Sequence, residues 1–157
     1  MKLECKRLTE ADVKEVVALN SNPLVLRHMP LAENTFDERK CLAWILEKDS
    51  QWARHGYGPL AFFVDGKFAG WGGLQHESGD ADLALVLLPE YWGMGHVIYQ
   101  QIISMAFSQM GLASITALLP DTRRQRKSMQ RLGFINDGET ELCGNRFIRY
   151  RLYTQGE

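Results

Sequence analysis

The sequence predicts a mixed α/β domain: a mostly antiparallel central sheet with one parallel β-α-β crossover and helices on both faces, in the order β-α-α-β-β-β-α-β-α-β-β. Three observations predict it. Leu83–Leu88 and Ser114–Leu119 are apolar runs, as strands covered on both faces require. Between them Val97–Met110 places Ile98, Ile102 and Met105 on one helical face, so the two strands run parallel through a right-handed crossover. Earlier, Leu60–Val64 and Lys67–Leu74 flank Asp65-Gly66, a two-residue hairpin signal in which Gly supplies the positive φ of a type I′ turn.

The remaining elements follow in order. Residues 2–8 read as a short strand, with Thr9 as N-cap of a helix carrying Val13, Val16 and Val17. Asn20 to Pro30 reads as a loop. Thr35 or Asp37 caps a second helix, on which Cys41, Trp44, Ile45 and Trp52 form a core stripe interrupted by Lys48. His55 to Pro59 breaks that helix. Gln75 to Asp80 reads as a polar turn, and Tyr91 to Gly95 as a glycine-bearing one. A third helix spans about Thr122 to Leu132, stopped by Gly133 at a C-cap position. A hairpin about Gly144-Asn145 closes the chain, with Ile148, Tyr150 and Leu152 alternating along its last strand.

The 157 residues fit one domain spanning 1–157, long enough to bury a core without metal or disulfide staples. A hydrophobic share of 45% with 24% charged residues excludes a disordered or collagen-like chain. The net charge of -1 argues against broad attraction to nucleic acid or to a membrane surface. Cys5, Cys41 and Cys143 are odd in number and lack metal-ligand spacing, so they read as reduced thiols. No apolar leader opens the chain and no run approaches the roughly 18 apolar residues that span a bilayer, so the cytoplasm is the expected location.

Pro89-Glu-Tyr-Trp-Gly-Met-Gly-His96 joins a buried strand to a helix start, where free amides and the helix dipole attract phosphate. Gly93 and Gly95 let the backbone curl its amides inward and keep side chains out of the way. The turn has no Gly-Lys-Ser/Thr, so it is no Walker A loop, and Ile98 stands where a dinucleotide fingerprint needs its third glycine. From these residues alone, the turn is either a phosphate-binding loop or a plain strand-to-helix turn.

The stretch LALVLLPEYWGMGHVIYQQII resembles the acyl-CoA-binding segment of the GNAT N-acyltransferase superfamily, nearest the branch of ribosomal-protein N-terminal acetyltransferases. Arg131-Leu-Gly-Phe134 and Arg7-Leu-Thr-Glu-Ala-Asp12 resemble two further family segments, and the order of elements agrees over about residues 5 to 153. The resemblance puts the pyrophosphate loop on Trp92, Gly93, Met94, Gly95, His96 and Val97. Trp92 stands where the family has Gln or Arg, and Val97 where it has a small residue. The family's Asn-x-x-Ser/Ala falls on Thr122 and Gln125. A tyrosine proposed as acid for the departing thiolate falls on Met129, leaving that role unassigned.

The resemblance implies direct attack of an amine on the thioester of acetyl-CoA, the acyl donor, with no metal. A backbone amide near Leu87 and Leu88 would receive the oxyanion. Asp82, where relatives often carry Glu, is the candidate base, against a turn-capping or solvated aspartate. Arg123, Arg124, Arg126 and Lys127 form the sharpest charge cluster. It is a solvated face, an RNA contact, or, through Arg123 and Arg124, the partner of the 3′-phosphate of CoA. Glu90, His28, His76 and His96 read as exposed loop residues, Tyr150 as core and Cys143 as inert. Trp44, Trp52 and Trp71 read first as core and second as walls of an aromatic groove. The partners implied are an acyl-CoA and an amine acceptor, a small molecule or a protein N-terminus, with no nucleic acid and no membrane; a homodimer is left open. The alternative function is a catalytically silent acyl-CoA sensor.

Overall fold

A computed structural model of the chain describes residues 2–26, 37–142 and 144–154. Its strands are β1 (Leu3–Arg7), β2 (Pro59–Val64), β3 (Lys67–Glu77), β4 (Asp80–Leu87), β5 (Ser114–Pro120), β6 (Ile135–Leu142) and β7 (Asn145–Tyr153). The helices are α1 (Val13–Asn20), α2 (Pro23–Leu26), α3 (Glu38–Asp49), α4 (Gln51–His55), α5 (Gly95–Ser108) and α6 (Arg123–Leu132). All seven strands join one sheet in the order β1-β2-β3-β4-β5-β7-β6. Among the described residues only β4 and β5 pair in parallel, so the mixed α/β class and its single crossover are as the sequence predicts.

Each face carries its own apolar layer. On one, Ile98, Ile102 and Ala106 of α5 and Met129 of α6 pack on Leu83, Leu87, Ile115, Ala117 and Ile148. On the other, Val16 and Leu19 of α1 and Cys41 and Ile45 of α3 pack on Ala61, Phe68 and Trp71. Trp44 meets Trp71 edge to face at 4.8 Å, and the Lys48 ammonium lies 5.9 Å from each ring while bonding Gln75. Trp52 donates its indole N–H to the Pro59 carbonyl. These tryptophans are therefore packing and bonding residues first.

The structure corrects several boundaries. Asp12, not Thr9, caps α1, accepting from the Lys14 amide at 2.9 Å. Thr9 lies in a 3₁₀ turn, Leu8–Glu10, that swings Leu8 fully into the core before the helix begins. Asp37 caps α3; Thr35 lies outside the described residues. The loop from Asn20 holds the short α2, which starts on proline and buries Val25. Trp52 is on α4, a separate helix closed by Gly56 in the left-handed region at φ 76°.

Residues 75–80 are not a long turn. The β3 and β4 strands run on to Ser78-Gly79, both at positive φ, because Gln75 and His76 find polar partners in Lys48 and Gln51. Helix α5 spans Gly95–Ser108 rather than 97–110, and Pro89–Met94 winds into a 3₁₀ turn ahead of it. Leu83–Leu88 was expected to be covered on both faces. Leu83 and Leu87 are buried, but Ala84, Leu85, Val86 and Leu88 are half-exposed, so neither face of the strand is covered along its whole length.

Candidate active site

The register of β4 with β5 holds at one pair, Asp82 with Thr116. Beyond it β4 stays on β3 as far as Leu87 opposite Gly70, while β5 stays on β7 as far as Pro120 opposite Phe147. The sheet thus opens between the C-terminal halves of its two parallel strands. Glycines allow β4 to lie close on β3: a Cβ at Gly72 would stand 2.3 Å from the Ala84 carbonyl oxygen, and one at Gly70 2.1 Å from that of Val86.

Those contacts also give the direction of the β4 backbone. The Ala84 and Val86 carbonyls face β3, and the Leu88 amide donates to the Ala69 carbonyl at 2.9 Å. Backbone groups of successive strand residues alternate sides, so those of Leu85 and Leu87 face the opening. The Leu87 carbonyl accepts the Trp92 indole N–H at 2.9 Å, in keeping with that direction. Of the two residues marked for an oxyanion donor, Leu88 has its amide committed to β3. Leu87 has its amide on the open side.

Asp82 stands where the strands separate, and the buried Thr116 hydroxyl donates to its Oδ1 at 2.8 Å. Burial pushes the Asp82 carboxyl up to about 6, reinforced by the Glu77 and Asp80 charges and opposed by the Thr116 bond and Arg149. A carboxylate at that value is ionised at neutral pH and still basic enough to take a proton. Tyr99 on α5 feels the same charge: burial first, then Asp82, push its phenol up to about 12. Behind the pair, the Arg151 guanidinium grips Asp80 at 3.0 and 3.1 Å, Asp137 at 2.9 Å and the Ser114 hydroxyl at 3.0 Å. It ties the starts of β4 and β5 to β6 and β7, and so fixes the base of the opening.

At the far end of β4, α5 starts without a side-chain cap, since Met94 at the N-cap makes no such bond. The Gly95 amide donates to the Trp92 carbonyl, and His96 and Val97 follow exposed in the first turn, where the next amides have no helical partner. Neither Gly93 nor Gly95 has positive φ, so the backbone conformation does not demand glycine as the sequence suggested. A Cβ at Gly93 meets nothing within 4 Å, and one at Gly95 only Leu85 Cδ2 at 3.7 Å. The bare space above these two residues lies outside the fold.

On α6 the Thr122 side chain caps the helix, accepting from the Gln125 amide at 3.2 Å, and Gly133 ends it at φ 95°. Arg123 and Arg124 are exposed, about 100° apart around the helix. Arg126 pairs with Asp121 at 3.3 Å, and Met129 is fully buried. Glu90 and His96 are exposed. His76 stacks on His55 at 3.9 Å and shares a hydrogen bond with the Tyr57 hydroxyl at 3.1 Å, so it is partnered rather than free. Burial raises the Cys5 and Cys41 thiols, the latter to about 11, which keeps them unreactive. Tyr150 is in the core as expected; His28 and Cys143 lie outside the described residues.

Sequence reading passed over Tyr99, Arg149 and Arg151. One signal was available for the arginines: they alternate with the core residues Ile148, Tyr150 and Leu152, which puts them on the opposite, polar face of β7.

A family model described as an acetyltransferase (GNAT) domain matches residues 2–135. No curated protein matches the chain. Among solved structures, a GNAT-family acetyltransferase from Bacillus anthracis is 16% identical, with a TM-score of 0.76 over 98% of this chain and 95% of its own. A spermidine N-acetyltransferase from Vibrio cholerae, in complex with CoA and spermine, is 16% identical, with a TM-score of 0.75 over 96% and 95%. The Campylobacter jejuni N-acetyltransferase PseH, in complex with acetyl coenzyme A, is 16% identical, with a TM-score of 0.70 over 98% and 100%. At such identities the likeness is one of fold.

Proposed function

The chain belongs to the GNAT acetyltransferase family, and from that premise we propose that it transfers an acetyl group from acetyl-CoA to a primary amine by direct attack. One observation carries the reading: the opening between β4 and β5 runs from a carboxylate of pKa about 6 to an uncapped, glycine-bearing helix start. The free first-turn amides of His96 and Val97, placed by the 3₁₀ turn Pro89–Met94, receive the pyrophosphate. The bare Gly93 and Gly95 are suited to close approach by a ligand, since the fold itself does not use the space. Arg123 and Arg124 take the 3′-phosphate end, and Thr122 stands at the family's pantetheine-contact position.

In the reaction, Asp82 removes a proton from the incoming ammonium, directly or through a water. The free amine attacks the thioester carbonyl, the C–N bond forms, and the Leu87 amide receives the negative oxygen. The C–S bond then breaks, the nitrogen gives its second proton to solvent to leave the amide, and the departing thiolate takes a proton from solvent. Thr116 orients the Asp82 carboxylate throughout. The finer resemblance to ribosomal-protein N-terminal acetyltransferases makes a protein N-terminus one acceptor class to test, beside small amines. The protein acts in the cytoplasm.

One observation favours the silent sensor as a second reading. Met129, fully buried, occupies the position of the family's tyrosine and has no proton to give. The two are separated by mixing the protein with acetyl-CoA and a panel of amines and N-terminal peptides. Acceptor-dependent thiol release establishes the transferase; tight acetyl-CoA binding without release across the panel establishes the sensor.

A further inference from the structure

A cavity of about 560 Å³ lies between α6 and the β6–β7 pair, and no residue of β4 or α5 lines it. That volume is in the usual range for small-molecule sites. Arg126 and Lys127 flank it from α6, Asn136 from β6 and Tyr150 from β7. Asn136 and Tyr150 are register partners, so their side chains share one face of the sheet.

Tyr150 is 4% exposed, and its hydroxyl is the buried side-chain oxygen that lacks a hydrogen-bond partner among the described residues. Burying a hydroxyl without a partner is costly, so a group entering the cavity to accept from it would recover that cost. Burial and the Asp121 charge hold the phenol protonated, which makes it a donor. Arg126 is already paired with Asp121, whereas Lys127 makes no ion pair among the described residues. The cavity thus presents cations, an amide and a phenolic donor, and the nearby Asp121 charge is itself paired with Arg126 and Arg146. Phe134, buried, adds an apolar wall.

We propose that this cavity binds a small phosphate monoester with an apolar body, its phosphate held by Lys127, Arg126 and the Tyr150 hydroxyl and its body laid on Phe134. The site adjoins the proposed CoA contact at Arg123, is lined by no residue of β4 or α5, and does not depend on the transferase reading. Arg123, which also lines the cavity, is left out of the test because the cofactor reading already uses it.

The test titrates phenyl phosphate by calorimetry into the full chain saturated with CoA at low salt, so that phosphate sites of the β4–β5 opening are filled. A single site with Kd below about 1 mM is expected. Lys127→Glu, a change at an exposed position, weakens it at least about tenfold, and Tyr150→Phe about fivefold, both with CoA affinity unchanged. Inorganic phosphate and benzoate bind more weakly than phenyl phosphate, the first for want of the apolar body and the second for want of charge. Four results would each overturn the proposal: no binding to CoA-saturated protein, benzoate or inorganic phosphate binding as tightly as phenyl phosphate, a Lys127→Glu protein that binds like wild type, or a folded Tyr150→Phe protein that does.

Discussion

Replacing Asp82 by Asn separates catalysis from stability, because the two should move in opposite directions. Burial raises the Asp82 carboxyl from its ordinary 3.8 to about 6. With the folded value above the unfolded one, the associated stability is fully present below about pH 3.8 and lost as the pH rises through about 6. At 1.36 kcal/mol per pH unit, the gap corresponds to about 3 kcal/mol carried as a penalty by the ionised group at neutral pH. Asn has no charge to desolvate and keeps an oxygen for the Thr116 hydroxyl. The variant should therefore be more stable at pH 7.5 by about 2–3 kcal/mol, raising Tm by about 4–9 °C. The gain should shrink towards zero near pH 4, where wild-type Asp82 is protonated. Turnover should fall about 10²-fold, the scale of losing a general base, with the deficit narrowing at alkaline pH as more amine arrives neutral. Wild-type kcat should rise with pH through about 6 and the variant should lack that rise. Thermal unfolding at pH 4 and 7.5, with thiol release over the same range, measures both. A Tm at or below wild type, together with kcat within about threefold, would refute both the buried charge and the base.

Three other perturbations test neighbouring parts. Gly95→Glu puts a charge and bulk at the start of α5, where φ is -53° and a Cβ has room. Fold and Tm should hold while calorimetric CoA affinity drops at least about tenfold, or 1.4 kcal/mol. With Arg123 and Arg124 both changed to Ala, the preference for CoA over dephospho-CoA at low salt should fall by about 1 kcal/mol; an unchanged preference assigns them to solvation. Arg151→Ala removes the cation that Asp80 and Asp137 share, leaving Asp137 with Arg149 at 3.5 Å. It should cost about 2–3 kcal/mol and lower Tm by roughly 5–10 °C, and Arg151→Lys should restore only part, because an ammonium cannot fork to both carboxylates.

Much of the fold was legible because its signals are local. Asp65-Gly66 turns where it does because φ there is positive, and Gly133 ends α6 for the same reason. Apolar runs joined by a helical period announced the parallel crossover, and the residues from Leu83 to Ile103 carried the family. The caps were less legible. Thr9 and Asp12 are both good capping residues, and the choice fell to Leu8, which must reach the core before the helix can begin.

The sequence by itself determined the order of elements, the strand-turn-helix that bears Gly93 and Gly95, and Asp82 at the head of β4. Only the tertiary structure decided what those residues can do. An apolar run cannot say that its neighbour will leave after one residue pair, since that depends on β5 following β7 instead of β4. Nor can it say which of the Leu87 and Leu88 amides faces the opening, because the choice rests on Ala69 across the sheet. The Asp82 pKa is set by burial and by Thr116, 34 residues away, and Arg151 binds Asp80 across 71. Desolvation and charge act through space, and the chain reveals those distances only once it has folded.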